Sequence, residues 1–313
     1  MSWLRDLLVP PQGSTFAHEV DPLFMFLVGL TGFFFLLIAG LTGWFILRYR
    51  RGSRVRRGVA PTHNTALELL WSLIPLALVV VIFFWGVQGY ISAAVPPADA
   101  LEIKVIGKRW LWEFQYPNGL RTVNEMRVPV NKPIKLVMIS EDVIHSFYVP
   151  GFRIKQDVLP SRYTQLWFEA TQPGVHSVLC AEYCGRSHSD MLATIHVVSQ
   201  EEYQQWLEAG GAVGEGLPLS ELGRLVYERY GCDACHSLDG TRLEGPSLRG
   251  VFGKPVLLAD GQRVIADENY LRESILNPQA KIVAGYQPVM PTFQGLLSER
   301  EINALIEFIK EQK

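Results

Sequence analysis

The sequence is poor in cysteine. Its 313 residues carry four, at positions 180, 184, 232 and 235. These fall into two close pairs, so each thiol is a candidate for a disulfide, a metal or a cofactor. The chain also lacks an excess of either charge. A formal net charge of -2 and a pI near 6.4 give nucleic acid no electrostatic reason to bind. No internal repeat is visible, which sets repeat architectures aside.

Two long stretches lack charge altogether. Residues 23–47 read LFMFLVGLTGFFFLLIAGLTGWFIL, and residues 69–95 read LLWSLIPLALVVVIFFWGVQGYISAAV. About 20 apolar residues cross the hydrocarbon core as a helix, and soluble core helices rarely run this far without a charge. Residues 23–95 are therefore read as a two-helix transmembrane hairpin. Between the runs, RYRRGSRVRRG places arginines at 48, 50, 51, 54, 56 and 57. A short basic loop stays in the cytoplasm. Residues 1–22 and everything after about residue 96 are then expected on the outer side. The first run begins too late for a typical signal peptide, so residues 1–22 are read as an external segment.

From residue 96 to 198 the pattern changes to short runs such as LEIKVIG, IKLVMIS, YTQLWFEA, VHSVLC and MLATIHVV. They are rich in β-branched and aromatic residues and several are separated by turn signals, which predicts a β-sandwich or barrel. Residues 199–219 begin as a short helix and loosen into glycines at 210, 211, 214 and 216, the composition of a linker. Residues 220–313 read as helical. SELGRLVYERYG carries a Ser N-cap signal, DENYLRESILNP is a further helix, and SEREINALIEFIKEQK opens with a capping box from Ser298 to Glu301.

CDACH at 232–236 is the signature for covalent heme c attachment. It assigns Cys232 and Cys235 as thioether anchors and His236 as axial ligand. Zinc would need further cysteine or histidine downstream, and none follows His236. Met290, in GYQPVMPTF, is the one methionine after His236 and so the candidate sixth ligand. Met/His ligation suits electron transfer; a five-coordinate, gas-binding heme is the rival. Residues 220–313 resemble a small class I cytochrome c, with Gly223 and Tyr227 ahead of CDACH and Gly245-Pro246 after it. The resemblance implies that the first and last helices cross at Gly223, with Phe308 as a partner.

The first pair lies in CAEYCGRSHSDM, residues 180–191. A disulfide or a zinc clasp is chemically possible there. Thiolate, imidazole and thioether together, however, are the soft set that copper prefers. A further histidine should come from elsewhere, and His145, at the end of a strand-like run, is the candidate. His176 and His196 read as ordinary packed or surface histidines.

Cys180, Glu182, Cys184, Gly185, His188 and Met191 resemble the CuA motif of cytochrome c oxidase subunit II, and HSFYVPGFRIKQDVLP looks like its counterpart in that family. The fold implied is a cupredoxin-like sandwich. The resemblance implies a binuclear copper centre bridged by both thiolates, with His145 and His188 each on one metal. Met191 would ligate one copper and the Glu182 carbonyl the other. It also implies that the Glu182 side chain helps bind magnesium or manganese at the boundary with subunit I.

GKRWLWEFQYPNG is similar to the family's aromatic segment, and Trp110 matches the tryptophan that takes electrons from an external cytochrome c. HNTALELLWSLIPL resembles the start of its second membrane helix, placing Glu68 at a proton-channel mouth in subunit I. The whole chain thus resembles an oxidase subunit II with an appended cytochrome c. Electrons would pass from an external donor through heme c and copper to subunit I, where oxygen is reduced to water and protons are pumped. Subunit III and membrane lipid are further implied partners, and a bacterial cytoplasmic membrane the expected location. An equivalent subunit of a nitric oxide reductase, or a membrane-anchored copper-binding protein, are the alternatives. A quinol oxidase subunit would lack these copper ligands.

Overall fold

The computed structural model describes residue 5 and residues 7–55, 63–210 and 216–313. Arg56 and Arg57 of the basic loop, and the glycines at 211 and 214, lie outside the described residues.

Helix α1 spans Thr15–Tyr49 and α2 spans Thr65–Ala94. Both begin ahead of the charge-free runs because polar caps set their starts. The Ser14 hydroxyl accepts from the Ala17 amide, and the Asn64 side chain accepts from the Leu67 amide. Both helices are long and apolar enough to cross a membrane, and neither buries its apolar midsection within the chain.

The segment before α1 is bonded to the sandwich. The Gly13 amide donates to the Gly151 carbonyl at 2.9 Å, and the Thr171 amide donates to the Gly13 carbonyl at 3.1 Å. The Ser14 hydroxyl donates to the Phe152 carbonyl at 2.8 Å, and Arg153 holds Asp21 at 2.8 and 3.0 Å. At the far end of α2, the Trp167 indole donates to the Ser92 carbonyl at 3.1 Å. The start of α1 and the end of α2 therefore meet the same domain. The even number of crossings inferred from the arginine loop requires the same arrangement.

Ten strands build the sandwich: β1 Leu101–Lys108, β2 Leu111–Gln115, β3 Arg121–Val123, β4 Glu125–Pro129, β5 Pro133–Ser140, β6 His145–Val149, β7 Ile154–Val158, β8 Thr164–Glu169, β9 Gly174–Cys180 and β10 Leu192–Val198. One sheet has the order β3-β2-β1-β5-β8 and the other β4-β10-β9-β6-β7. The β1–β5 and β4–β10 pairs are parallel and the rest antiparallel. Alternation sets the inner faces: Ile134, Leu136 and Met138 of β5 and Ala193, Ile195 and Val197 of β10 are buried. His145 opens β6 rather than ending a strand, because a turn at Asp142 separates it from β5.

Strand β2 departs from alternation, with Leu111, Trp112, Glu113 and Phe114 all buried. Trp112 and Phe114 join the sandwich core, whereas Leu111 joins the core of the C-terminal domain. The outer face of this strand is a docking face. Helix α3, Gln200–Glu208, capped by Ser199, lies on the sandwich with Trp206 edge-on to Tyr116.

The C-terminal domain contains α4 Leu219–Arg229, the hairpin of β11 Pro255–Leu257 and β12 Arg263–Ile265, α5 Glu268–Leu276 and α6 Glu299–Glu311. The capping box at Ser298 and Glu301 is present. Ser220 is not the N-cap of α4. That helix starts at Leu219 with Pro218 as its N-cap, two residues earlier, and the fixed φ of proline suits a helix entrance. At the crossing of α4 and α6, a Cβ on Gly223 would lie 2.0 Å from the Ala304 carbonyl oxygen and 2.6 Å from Phe308 Cβ. Only glycine allows that approach.

Candidate metal centre and heme pocket

The end of β9 and the loop after it bring the first cysteine pair together with its neighbours. Cys180 Sγ lies 3.8 Å from Cys184 Sγ, and both thiols are free and buried. A disulfide would need about 2.0 Å, so these sulfurs face a shared space. His145 Nδ1 is 3.9 Å from Cys180 Sγ, and His188 Nδ1 is 3.5 Å from Cys184 Sγ. Met191 Sδ lies 3.8 Å from Cys184 Sγ, and the Glu182 carbonyl oxygen lies 3.3 Å from Cys180 Sγ. Two thiols, two imidazoles, a thioether and a carbonyl converge without a covalent cross-link between the sulfurs. That donor set fits soft metal chemistry and could hold copper.

The electrostatics are arranged through Asp142, which sequence reasoning passed over. His145 Nε2 lies 2.8 Å from Asp142 Oδ1, leaving Nδ1 to face the sulfurs. A carboxylate behind an imidazole fixes its ring and tautomer. Burial opposes ionisation of Asp142, but hydrogen bonds from His145 and from the Val143 and Arg109 amides outweigh it, holding the carboxyl well below its usual range. Between the thiols, the hydrogen bond with Cys184 favours a thiolate on Cys180 and keeps the proton on Cys184. The signal available in the sequence was an acidic residue three positions before the candidate histidine.

Among the described residues, His145, Cys180 and Cys184 are the one cluster of three or more His, Cys, Asp or Glu donors within 4.8 Å of one another. Glu182 is exposed and its side chain lies outside that cluster. His176 packs against Phe152 with ring centres 4.5 Å apart, and His196 pairs with Glu125 at 3.0 Å, so neither joins the donors.

The second pair opens a different kind of site. Cys232, Cys235, His236 and Met290 line one cavity with Leu248, Val251, Tyr270, Ile275, Phe293 and Leu305. His236 Nδ1 is 2.8 Å from the Pro246 carbonyl, which fixes the ring and leaves Nε2 for a metal. A Cβ on Gly245 would lie 2.5 Å from His236 Cε1, so the glycine makes room for the imidazole. The apolar surroundings pull the His236 pKa down, favouring the neutral ligand form. Tyr227 donates its hydroxyl to the His236 carbonyl. An apolar cavity with two cysteines, a neutral imidazole and a thioether on its walls fits a covalently held heme.

The two sites adjoin. Arg109, Trp110 and Leu111 of the sandwich line the heme cavity as well. Trp110 is buried, and a Cβ on Gly185 would lie 2.9 Å from its ring, so the indole rests on the residue after Cys184. Glu68 lies apart from both sites, in the first turn of α2, where its carboxylate accepts from the Asn64 amide at 3.2 Å.

A family profile described as cytochrome C oxidase subunit II, periplasmic domain, matches residues 119–198, and one described as cytochrome c matches residues 220–313. Cytochrome c oxidase subunit 2 of Alkalihalophilus pseudofirmus is 33% identical over 260 residues, covering 80% of this chain and 74% of the relative. The subunit 2 of Cereibacter sphaeroides is 32% identical over 186 residues, covering 47% of this chain and 61% of the relative. Among solved structures, the periplasmic domain of subunit II of the Bradyrhizobium japonicum cytochrome oxidase is 34% identical. It covers 37% of this chain and 97% of that chain, at a TM-score of 0.36. With both external domains matched in sequence and a relative this similar over most of its length, the chain belongs to the cytochrome c oxidase subunit 2 family.

Proposed function

We propose that this chain is the subunit through which electrons enter a respiratory heme-copper oxidase. They would come from an external donor such as a cytochrome c and leave toward subunit I, which reduces oxygen to water and pumps protons. The observation that carries this reading is the convergence of Cys180, Cys184, His145, His188, Met191 and the Glu182 carbonyl beside a heme-shaped cavity. When bound, a binuclear copper centre and heme c each supply a carrier that takes up and releases one electron at a time.

The chain's own residues do the positioning. Cys180, Cys184, His145, His188, Met191 and the Glu182 carbonyl would together hold the copper. Asp142 keeps His145 in one orientation, so little has to rearrange when charge changes. Burial of the thiols excludes water from them. Cys232, Cys235, His236 and Met290 would anchor and ligate the heme, while Trp110, between the cavity and Gly185, would carry electrons across.

Glu182 would share a magnesium or manganese ion with subunit I, and Glu68 would collect protons at the cytoplasmic surface for that subunit. The hairpin would cross the cytoplasmic membrane of a bacterium twice, with both cofactor domains outside, and subunit III would complete the complex. The test is turnover of the assembled complex. Cys184→Ser should abolish oxygen uptake from reduced donor, and Glu68→Gln should slow it with both optical centres unchanged. Full oxygen uptake in Cys184→Ser would refute the reading.

A further inference from the structure

The loop that carries the copper donors is bonded directly to the loop that would carry the heme. Ser187, between Cys184 and His188, is buried, and its hydroxyl donates to the Ala234 carbonyl at 3.2 Å. Ala234 lies inside the CDACH motif, next to Cys235. Its neighbour Arg186 pairs with Glu244 at 2.6 Å, and Glu244 precedes the Gly245 that makes room for His236. A second anchor lies beside these bonds. Arg229 of α4 pairs with Glu125 of β4 at 2.7 Å, and the Asn124 side chain donates to the Arg229 carbonyl at 3.4 Å.

These contacts differ in weight. The Arg186 side chain is 71% exposed, so its ion pair contributes little. Ser187 is buried at the junction, and removing its hydroxyl would leave the Ala234 carbonyl without that partner. It also closes a bonded path. Ala234 joins Cys235 through one peptide bond, Ser187 joins His188 through another, and the hydrogen bond spans the gap between the domains. The Trp110 ring offers a second route across the same junction, by contact alone.

We propose that Ser187 is a positioning residue for electron transfer from the appended heme to the copper centre. Its hydroxyl supplies the bonded bridge between the Ala234 carbonyl and the copper loop, while the Arg229–Glu125 pair sets the spacing of the two centres. In the step, heme iron is oxidised from ferrous to ferric and the copper centre gains that one electron; no proton or group moves. The proposal rests on the relay reading above.

The test is flash reduction of the heme in the assembled oxidase, with heme oxidation and copper reduction followed optically. Pulsed electron paramagnetic resonance of the same samples reports the separation of the two centres. In the native protein, heme oxidation should match copper reduction; absence of transfer there refutes the relay reading and this proposal with it. Ser187→Ala should slow the transfer several-fold with the separation and both spectra unchanged, and Ser187→Thr, which keeps the hydroxyl, should restore the rate. Glu125→Gln loosens the second anchor and should lengthen the separation without changing either spectrum. A native rate in Ser187→Ala overturns the proposal. So does a slow rate that tracks a lengthened separation, since Ser187 would then only dock the domains. Loss in Trp110→Phe with none in Ser187→Ala assigns the step to the indole and overturns it too.

Discussion

The copper loop and the heme pocket solve similar problems by opposite routes. The donors of the first come from β6, the end of β9 and the following loop, and folding alone brings each of them within 3.3–3.9 Å of a cysteine sulfur. The donors of the second ring an apolar hollow, where His236 is held by the Pro246 carbonyl and the space at Gly245 rather than by the other donors. One site is finished by the sandwich, while the other is finished by its cofactor. The sandwich should therefore keep its shape without metal. The C-terminal domain, lacking the group that fills its core, should be much less stable without heme.

The sharpest way to break the comparison is reciprocal thiol removal. Cys235→Ser should prevent normal covalent heme attachment and greatly lower the melting point of the C-terminal domain, with copper content unchanged. Cys184→Ser should abolish the paired-copper signal and leave the heme spectrum and the sandwich fold intact. Metal analysis, heme absorbance and circular dichroism read both. If Cys184→Ser unfolded the sandwich as thoroughly as Cys235→Ser unfolds its partner, the contrast would be wrong.

Gly223→Val probes the heme side without touching a donor. Its side chain would enter the space of the Ala304 carbonyl, 2.0 Å from the first added carbon. The expected cost is about 3 kcal/mol or more, seen as a separate, lower melting step for the C-terminal domain. Asp142→Asn probes the copper side. Without the carboxylate behind His145, copper affinity should fall by roughly 10- to 100-fold, measured by competition with a chelator. A native affinity would show that Asp142 does not position the imidazole.

Much of this arrangement was legible in the sequence where chemistry is local. CDACH, the spacing from Cys180 to Met191, the two charge-free runs and the capping box at Ser298 all depend on nearby residues. Gly223 and Phe308 were legible through family resemblance and meet as expected. The strands β2, β3, β4, β6 and β7 were not read out. Strand β2 is buried on both faces because another domain covers it, so its residues do not alternate. Ser187 escaped notice because its partner, Ala234, lies across the domain junction. Asp142 was passed over although it stands three positions before His145, because an acidic residue in a turn is common on solvation grounds alone.

The smallest expected effect concerns neither centre. His176 sits beneath Gly13 and Gly151, where burial lowers its pKa. The unfolded chain then binds the proton more readily. This contribution to stability is full above about pH 6.5 and is lost as the pH falls through the lower folded value. A His176→Gln variant should show a shallower loss of stability on mild acidification, measured by denaturant titration. An identical slope would remove the histidine from that account.

The most direct measurement is electron paramagnetic resonance of the oxidised, heme-loaded and copper-loaded protein. The account predicts hyperfine structure from one unpaired electron shared equally by two copper nuclei, beside a low-spin heme with histidine and methionine ligands. A signal from a single copper nucleus, or no retained copper while the heme remains intact, would contradict the two-centre relay and leave a tethered cytochrome.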